Sequence, residues 1–227
     1  MSKREKLQRA WRVARRYPMT LRRTLHSSRA QRLHIGSGPE ILPGWVNIDN
    51  RRYKGVDKVL DVTRGLPFKD VQFVFAEHFI EHLDFRDAFF LLQECRRIMR
   101  DDGVLRLSTP NLDWVWATHY KTIMTTEEQV LACFALNRAF RGWGHQFLYN
   151  EETLSSVLRA AGFSTIVRCA YGESSHPELQ HLERHERAAD LGDLSHILIV
   201  EASGRGGEAP PHLTEPRAFY ERDVDVR

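Results

Sequence analysis

Four short apolar runs, each ending at or beside a glycine or a carboxylate, constrain the fold of this chain more than any other feature. They lie at residues 33–39, 46–49, 59–62 and 73–77. Strands buried on both faces of a parallel sheet are apolar throughout. Their carboxyl ends meet at one edge of the sheet, where open α/β folds bind ligands. The runs therefore predict a parallel sheet with a ligand site formed by the residues that end them.

The rest of the chain alternates between helical and strand patterns. Helical spacing of apolar residues covers 85–100, a region near 126–139 and 151–161, and β-type runs cover 104–108, 164–170 and 196–201. This alternation predicts an α/β, Rossmann-like, doubly wound fold with a mostly parallel seven-stranded sheet. No clear helical pattern separates the last two strands, so we expect an antiparallel strand at the edge of the sheet.

The first crossover of the predicted sheet is short. Asp49 lies 13 residues after Gly36, against about 20 residues in a full dinucleotide-binding unit. Pro39, Pro43 and Gly44 fall within that gap. We therefore expect no full helix between the first two strands.

Charge divides the chain into a basic N-terminal arm and an acidic body. Residues 1–32 hold eleven of the 33 Lys and Arg residues but only one acid. Residues 4–17 place apolar side chains at helical spacing, so we expect them to form a helix. We expect this helix, or the segment after Pro18 with Leu21 and Leu25, to pack beside the first strand. Binding of an anionic surface, such as RNA or acidic lipid headgroups, and a solvated charged face are the alternatives. The expected organisation is a basic helical arm over 1–30, a folded domain over 31–203 with a cap over 110–150, and a disordered tail over 204–227.

The bulk properties predict a cytoplasmic protein. No apolar run reaches the roughly 18–20 residues that span a bilayer, and no apolar segment typical of a signal peptide follows the basic N-terminus. The three cysteines are widely spaced and fit neither a disulfide framework nor a Cys-x-x-Cys zinc site.

The residues at the strand ends suit a nucleoside. A turn containing Gly36 and Gly38 lets a ligand approach the backbone closely, and the Asp49 carboxylate can accept two hydrogen bonds from a ribose diol. Asp61, after the third strand, can accept a hydrogen bond from the amino group of a base. Each also has a structural alternative: a Gly-x-Gly turn can be an ordinary tight turn, and an Asp at a strand end can cap a helix or form a turn.

The order of these sequences resembles the class I S-adenosylmethionine-dependent methyltransferases. The resemblance covers residues 31–201 and is greatest to small bacterial enzymes of the methyltransferase type 11 kind, which are often associated with sugar and polysaccharide pathways. The phrases that carry it are Gly36-Ser37-Gly38-Pro39, residues 44–49, 61–63 with 66–68, 81–83 and 102–105. It implies S-adenosyl-L-methionine as cofactor and methyl transfer to an oxygen or nitrogen of a small-molecule or carbohydrate-type acceptor.

The resemblance also implies roles for individual residues at the strand ends. Asp49 would hold the ribose hydroxyls, and Asp61 with the backbone of Val62 would meet the adenine. The residues expected beside the methionine end and the sulfonium are Gly36, Ser37 and Gly38 of the turn, then Glu77 and His78. The chain departs from the family at His34, where an acidic residue is usual, and at Glu40, which replaces a third glycine.

A second pattern in this region is typical of zinc peptidases. His78-x-x-Glu81-His82 would place two imidazoles on one face of a helix, as zinc ligands require. The pattern directly follows a strand, however, and the methyltransferase resemblance accounts for Glu-His-Leu at this position. We therefore predict no metal site.

The acceptor side is expected within the cap. His145 is the predicted general base, because an unperturbed imidazole titrates near neutrality. The alternative is a histidine that only binds a neighbouring loop. Asn111 and Tyr149 are candidates for acceptor contacts. Two other functions stay open, namely a nucleic-acid methyltransferase that docks through the arm and a non-catalytic nucleoside-binding protein.

Overall fold

The computed structural model describes residues 28–29, 31–121, 124–185 and 190–206. The predicted arm helix and almost all of the predicted tail lie outside these residues, and the expectations for them remain predictions. Within the described residues, no helix has the length and apolar character needed to cross a membrane.

A seven-stranded sheet forms the centre of the domain and confirms the predicted fold class. The described strands are β1 (Ser28–Arg29), β2 (Arg32–Ile35), β3 (Val46–Asp49), β4 (Lys58–Val59), β5 (Phe68–Lys69), β6 (Val71–Glu77), β7 (Met99–Pro110), β8 (Thr165–Arg168) and β9 (Ile197–Ser203). The sheet has the order β4-β3-β2-β6-β7-β9-β8, and β1 pairs separately with β5. Only β9 runs antiparallel to its neighbours in this sheet, so β8 and β9 form the antiparallel pair expected at the edge.

Each described helix begins at a side chain that caps its first turn. The helices are α1 (Phe85–Ile98), α2 (Leu112–His119), α3 (Thr126–Arg141) and α4 (Glu151–Ala160). Asp84, Asn111, Thr125 and Asn150 accept a hydrogen bond from a backbone N–H two or three residues later. Such a cap satisfies one of the N–H groups that a helix start leaves unpaired.

Helices α1 and α4 cover one face of the sheet and enclose the main core. Leu33 and Ile35 of β2 and Val74 of β6 pack there against Leu91 of α1 and Leu158 of α4, all at most 3% exposed. Burying a side chain of this size contributes about 1.5–3 kcal/mol to the free energy of unfolding. The packing of this apolar core fixes the positions of the strands and of their ends.

The opposite face of the sheet is covered by loops near β2 and β3. As predicted, no helix lies between these two strands. In place of a helix, the buried side-chain amide of Asn47 holds the loop between β2 and β3. Its Oδ1 accepts from the Leu42 N–H at 2.9 Å, and its Nδ2 donates to the carbonyls of Leu42 and Trp45. These bonds hold the crossover loop in one conformation without helical hydrogen bonds.

A long segment, residues 171–185, crosses the same face and is called the strap below. Arg106 of β7, fully buried, joins it to the sheet: its guanidinium contacts Glu183 of the strap and Glu201 of β9, both at 2.6 Å. Burial opposes the charge of Arg106, but the hydrogen bonds that it donates to these carboxylates prevail and raise its pKa. The strap therefore ends over the carboxyl edge of the sheet.

Candidate active site

The ends of three adjacent strands meet where the sequence predicts. Ile35 of β2 pairs with Ile48 of β3, and His34 pairs with Phe75 of β6. In a parallel register these pairs bring Gly36 level with Asp49 on one side and with Glu77 on the other. The glycine turn and two carboxylates thus share one edge of the sheet.

The glycine turn after β2 depends on Gly36 for two reasons. Its φ of +69° lies in the left-handed region, which glycine adopts without steric cost. A Cβ atom there would also lie 2.2 Å from the ring of Phe79. Ser37 is buried, and its N–H donates to the carbonyl of Ile48 at 3.0 Å. The turn is therefore fixed against β3 and the segment after β6.

Asp49 ties this turn to the end of β3. Its Oδ2 accepts from the N–H of Gly38 at 2.9 Å, and its Oδ1 accepts from the N–H of Arg51 at 2.8 Å. A carboxylate has about four lone-pair sites, so each oxygen keeps capacity for a hydroxyl group. The side chain is only half-buried. Asp49 has a structural role and also acceptor capacity for a ligand.

Asp61 occupies the capping position that the sequence left open as an alternative. It caps the 3-10 turn Val62–Arg64, and its Oδ1 accepts from the N–H and the hydroxyl of Thr63 at 3.1 and 2.7 Å. Arg64 lies 2.9 Å from its other oxygen. Val62 is buried. To contact a nucleobase, the Asp61 carboxylate would have to bind the base and the Arg64 guanidinium at the same time.

Glu77 at the end of β6 receives the end of the strap. Its Oε1 accepts from the N–H groups of Arg184 and His185 at 2.8 and 3.1 Å, and the Nδ1 of His185 lies 3.5 Å away. Burial acts to raise the pKa of Glu77, but the hydrogen bonds from His185 and Arg184 lower it overall. The hydrogen bond to Glu77 raises the pKa of His185. Both shifts favour a charged pair at this edge.

His78 adopts a left-handed backbone, with φ of +45°. Its ring stacks on His185 with 4.0 Å between centroids, and its Nδ1 lies 3.2 Å from Oε1 of Glu81. Its Nε2 is buried without a hydrogen-bond partner. A positive φ is uncommon outside glycine and marks a place where the surrounding structure dictates the backbone. Here it turns the chain away from the sheet, so that the helical His-x-x-Glu-His arrangement does not form.

A cavity of about 760 Å³ adjoins these residues on the side of the cap. It is bounded by the ends of β6 and β7, by α2 and α3 and by the loop after α3. Trp114 and Trp143 line it together with six histidines, which are His78, His82, His119, His145, His185 and His196. Because His78 and His185 also contact the Glu77 region, the cavity and the sheet edge are parts of one site.

His145 lies in this cavity with a defined tautomer. Its Nδ1 lies 2.7 Å from the carbonyl oxygen of Ala139. A carbonyl only accepts, so Nδ1 carries the proton and Nε2 keeps its lone pair. His82 lies beside it with 4.9 Å between ring centroids, and burial lowers the pKa of His82. The contact of His145 is thus to helix α3 rather than to the neighbouring loop of the alternative, and its Nε2 has no hydrogen bond to the described residues.

The expected acceptor contacts of Asn111 and Tyr149 are corrected by the structure. Both side chains are buried, at 1% and 0% exposure. The Asn111 amide caps α2 and donates to the carbonyl of Ser195 at 2.9 Å. Tyr149 packs against Phe147 in the core. Neither side chain offers a surface that an acceptor could touch.

Sequence reasoning missed the strap as a part of the site. Arg184 and His185 lie 107 and 108 residues after Glu77, and a polar stretch of this kind carries no local signal for such a contact. The buried contact of Glu81 with the His78 ring was also missed. The zinc-peptidase pattern contains Glu81, but that pattern points to a helical pairing of His78 with His82, which is not formed.

Comparison with known proteins yields only distant structural likenesses. A search of protein-family models and a search of curated proteins each find no match. Among solved structures, a SAM dependent methyltransferase from Archaeoglobus fulgidus is similar at 16% identity and a TM-score of 0.48, over 84% of this chain and 92% of that one. The DhpI-SAH complex is similar at 13% identity and 0.46, over 83% of each chain. LepI in complex with SAM is similar at 12% identity and 0.43, over 78% of this chain.

This chain spans only 43% of the length of LepI. At these identities and TM-scores, the likenesses concern the path of the chain and assign it no activity or ligand.

Proposed function

We propose that this protein binds S-adenosyl-L-methionine and transfers its methyl group to an oxygen or nitrogen of a small-molecule or carbohydrate-type acceptor. The observation that carries the proposal is the convergence of the glycine turn, Asp49 and Glu77 at one sheet edge, beside a cavity lined by tryptophan and histidine. A ligand site at the carboxyl edge of an open α/β sheet is the general rule for such folds. The adjoining cavity gives a second substrate a place next to the first.

The residues at this edge fit the proposed cofactor. The lone pairs left on Asp49 suit a ribose diol, and Gly38, which has open space where a Cβ would lie, permits close approach to the backbone. Glu77 is anionic and suits the positively charged methionine amino group or sulfonium, once the strap end is shared or displaced. His34 is buried against Phe75 and bonded to Asn47, so it does not supply the missing acidic group.

The proposed reaction requires the chain to position the acceptor and to supply one general base. When bound, S-adenosylmethionine supplies an activated methyl group that the acceptor displaces from sulfur in line. The chain holds the acceptor in the cavity, and holding two reactants in register is the main source of acceleration for such a step. Nε2 of His145 takes the acceptor proton, and its Nδ1–H bond to Ala139 orients the ring and stabilises the imidazolium.

Isothermal titration of the full chain with S-adenosylmethionine, and separately with NAD, tests the binding step. We expect saturable binding of S-adenosylmethionine and no comparable binding of NAD. Methyl transfer from labelled cofactor to a panel of hydroxylated and amino saccharides then tests turnover. Binding without transfer to any acceptor would favour the non-catalytic alternative, and no binding would refute the proposal. The nucleic-acid alternative depends on the arm, which lies outside the described residues, and is not proposed.

His145→Ala tests the assignment of the base. We expect turnover to fall about 10²-fold or more while the dissociation constant of S-adenosylmethionine stays nearly unchanged. His119→Ala, which removes another histidine of the same cavity, is the matched control. Equal loss of cofactor affinity and turnover in His145→Ala would indicate a structural histidine.

A further inference from the structure

A carboxylate and two imidazoles meet at the wall of the cavity. Glu81, His82 and His145 each offer a ligand atom, and these atoms lie within 4.8 Å of one another. Glu81 and His82 belong to the 3-10 turn that follows β6, whereas His145 comes from the loop after α3. The cluster therefore joins two segments that are more than 60 residues apart in the chain.

Backbone hydrogen bonds hold these two segments in register. The N–H groups of Gln146 and Phe147 donate to the carbonyl of Glu81 at 2.7 and 3.2 Å. The side-chain amide of Gln146 donates to the carbonyl of His82 at 2.6 Å. The juxtaposition of the three ligand residues is thus fixed by the main chain on both sides.

Glu81 is fully buried, and one of its oxygens lacks a hydrogen bond. Its Oε2 accepts from the hydroxyl of Thr109 at 3.0 Å. Its Oε1 accepts no hydrogen bond, although the Nδ1 of His78 lies 3.2 Å away. An unsatisfied oxygen on a buried carboxylate is costly. A cation at this position would satisfy it.

His145 has the arrangement common among metal-binding histidines. One ring nitrogen donates to a backbone carbonyl, which fixes the ring and leaves the other nitrogen free. In metal sites this outer hydrogen bond orients the ligand and raises its basicity. The buried Glu81 oxygen, which accepts no hydrogen bond and has only the His78 ring at ion-pair distance, and the oriented nitrogen of His145 are two independent features of one cluster.

We infer that Glu81, His82 and His145 bind a divalent transition metal ion, for which zinc is the best fit, with an open coordination position toward the cavity. Two imidazoles and one carboxylate are a known zinc ligand set, and such sites keep a position for water or substrate. Zinc–nitrogen bonds of about 2.0–2.1 Å place neighbouring ligand atoms roughly 3.4 Å apart. The separations of up to 4.8 Å would therefore shorten when the ion binds. Calcium and magnesium prefer all-oxygen sites and fit less well.

This site differs from the zinc-peptidase pattern and from the prediction of no metal. That pattern pairs His78 with His82, whereas the structure pairs His82 with His145 across two segments. The inference does not depend on the proposed function. With a metal ion bound, Nε2 of His145 would be a ligand and would not take the acceptor proton, so the assignment of His145 as base applies to the metal-free protein. The ion would lower the pKa of a coordinated acceptor hydroxyl, and its proton would pass to solvent.

Zinc titration of the untagged, metal-free full chain against a chromophoric chelator tests the site. We expect one tightly bound zinc ion, and a visible absorption band when cobalt replaces it. His82→Ala and His145→Ala should each weaken zinc binding at least tenfold. Zinc at 100 times its dissociation constant should raise the melting temperature of the wild type by roughly 5–10 °C.

Two control variants separate this site from adventitious zinc binding. His119→Ala removes a histidine of the same cavity outside the cluster, and Cys133→Ser removes an exposed thiol. Both should retain wild-type affinity. Unchanged zinc affinity in His82→Ala and His145→Ala, or an equal loss in His119→Ala, would overturn the inference. Circular dichroism verifies folding, and because His145 is a half-buried loop residue, its variant provides the test even if substitution at His82 unfolds the chain.

Discussion

At Asp49 a single carboxylate serves the fold and offers capacity for a ligand. Both oxygens already accept a backbone N–H, one from Gly38 in the turn and one from Arg51. The side chain thus shapes the turn that would receive the cofactor. Loss of this residue should therefore affect both the conformation of the turn and the affinity for the ligand.

Asp49→Ala should weaken binding of S-adenosylmethionine by about 1.5–3 kcal/mol, the range for hydrogen bonds to a charged group. Isothermal titration measures the change. Asp102→Ala is the control, since Asp102 is exposed at the start of β7, away from the strand ends. Undiminished affinity in a folded Asp49→Ala protein would exclude Asp49 from the ribose site.

The histidines of the site should titrate in opposite directions. The hydrogen bond to Glu77 raises the pKa of His185 above 6.5, whereas burial lowers that of His82 below 6.5. NMR titration of the ring protons measures both. Glu77→Gln should return the His185 pKa toward 6.5 and leave His82 below it. A His185 pKa at or below 6.5 in the wild type would contradict the ion pair.

The sign of these shifts sets the pH range in which the strap is held. A raised pKa at His185 stabilises the folded state below pH 6.5, and this contribution is lost as the pH rises through the folded-state pKa. A lowered pKa at Glu77 stabilises it above pH 4.5, and that contribution is lost as the pH falls through the depressed value. The pair is therefore most stabilising in the mildly acidic range between them.

Among the elements, the strap is the least expected and depends most on one residue. Arg106 is fully buried, and its guanidinium contacts two carboxylates. It also donates a hydrogen bond to the carbonyl of Glu173 at 2.9 Å. Removal of one partner from a buried ionic group leaves the others uncompensated. Such a loss is far more costly than that of a surface ion pair.

Arg106→Met should lower the free energy of unfolding by about 3–5 kcal/mol, because Glu183 and Glu201 then remain buried without their cation. Urea denaturation measures this. Arg100→Met, on the exposed start of the same strand, should change it by no more than about 0.5 kcal/mol. Comparable stabilities for the two variants would show that the triad does not hold the strap.

The elements predicted from sequence are those with local signals. The pattern at 85–100 gave α1, Gly162 marks the end of α4, and the short crossover excluded a helix before β3. Strand β7 is longer than predicted because Met99 pairs with Val71 ahead of a bulge, which apolar spacing does not reveal. The strand-end residues were placed correctly at one edge of the sheet, because parallel strands have their carboxyl ends at the same edge.

The contacts that complete the site could not be predicted, because they join distant residues. Asn111 directly follows β7, a position typical of ligand contacts, but its burial against Ser195 follows from the pairing of β7 with β9. His78 lies in a zinc-like pattern, and its left-handed backbone alone removes that arrangement. No spacing within the chain indicates either fact.

For the molecule as a whole, the two faces of the sheet are built differently. Helices α1 and α4 and an apolar core cover one face, whereas the other carries the Asn47 and Arg106 networks beneath loops. Polar networks of this kind tolerate substitution poorly, since each member satisfies several others. We therefore expect the face of the sheet that carries the strap to tolerate substitution less well than the face covered by α1 and α4.

The predicted packing of the N-terminal arm on the domain would affect the stability of the whole molecule. Deletion of residues 1–27, which retains β1, should lower the melting temperature by several degrees, because two or three large side chains would lose their burial at about 1.5–3 kcal/mol each. Calorimetry measures the change. Deletion of 207–227, which lies within the predicted disordered tail of 204–227, is the control and should leave the melting temperature unchanged. A melting curve unaffected by loss of the arm would indicate a solvated arm.

The strap contacts join residues that are far apart in the chain, as do the pairs between β7 and β9. The strap contacts close loops of 77 residues between Arg106 and Glu183, 107 between Glu77 and Arg184 and 144 between Glu40 and Arg184. The entropy lost in closing a loop grows with its length, and segments with exposed backbone open at lower free energy than the core. Because Arg184 and His185 at the end of the strap are exposed, we expect this end to open locally while the sheet stays intact. Exchange of ligands at the strand ends would then require only this local opening.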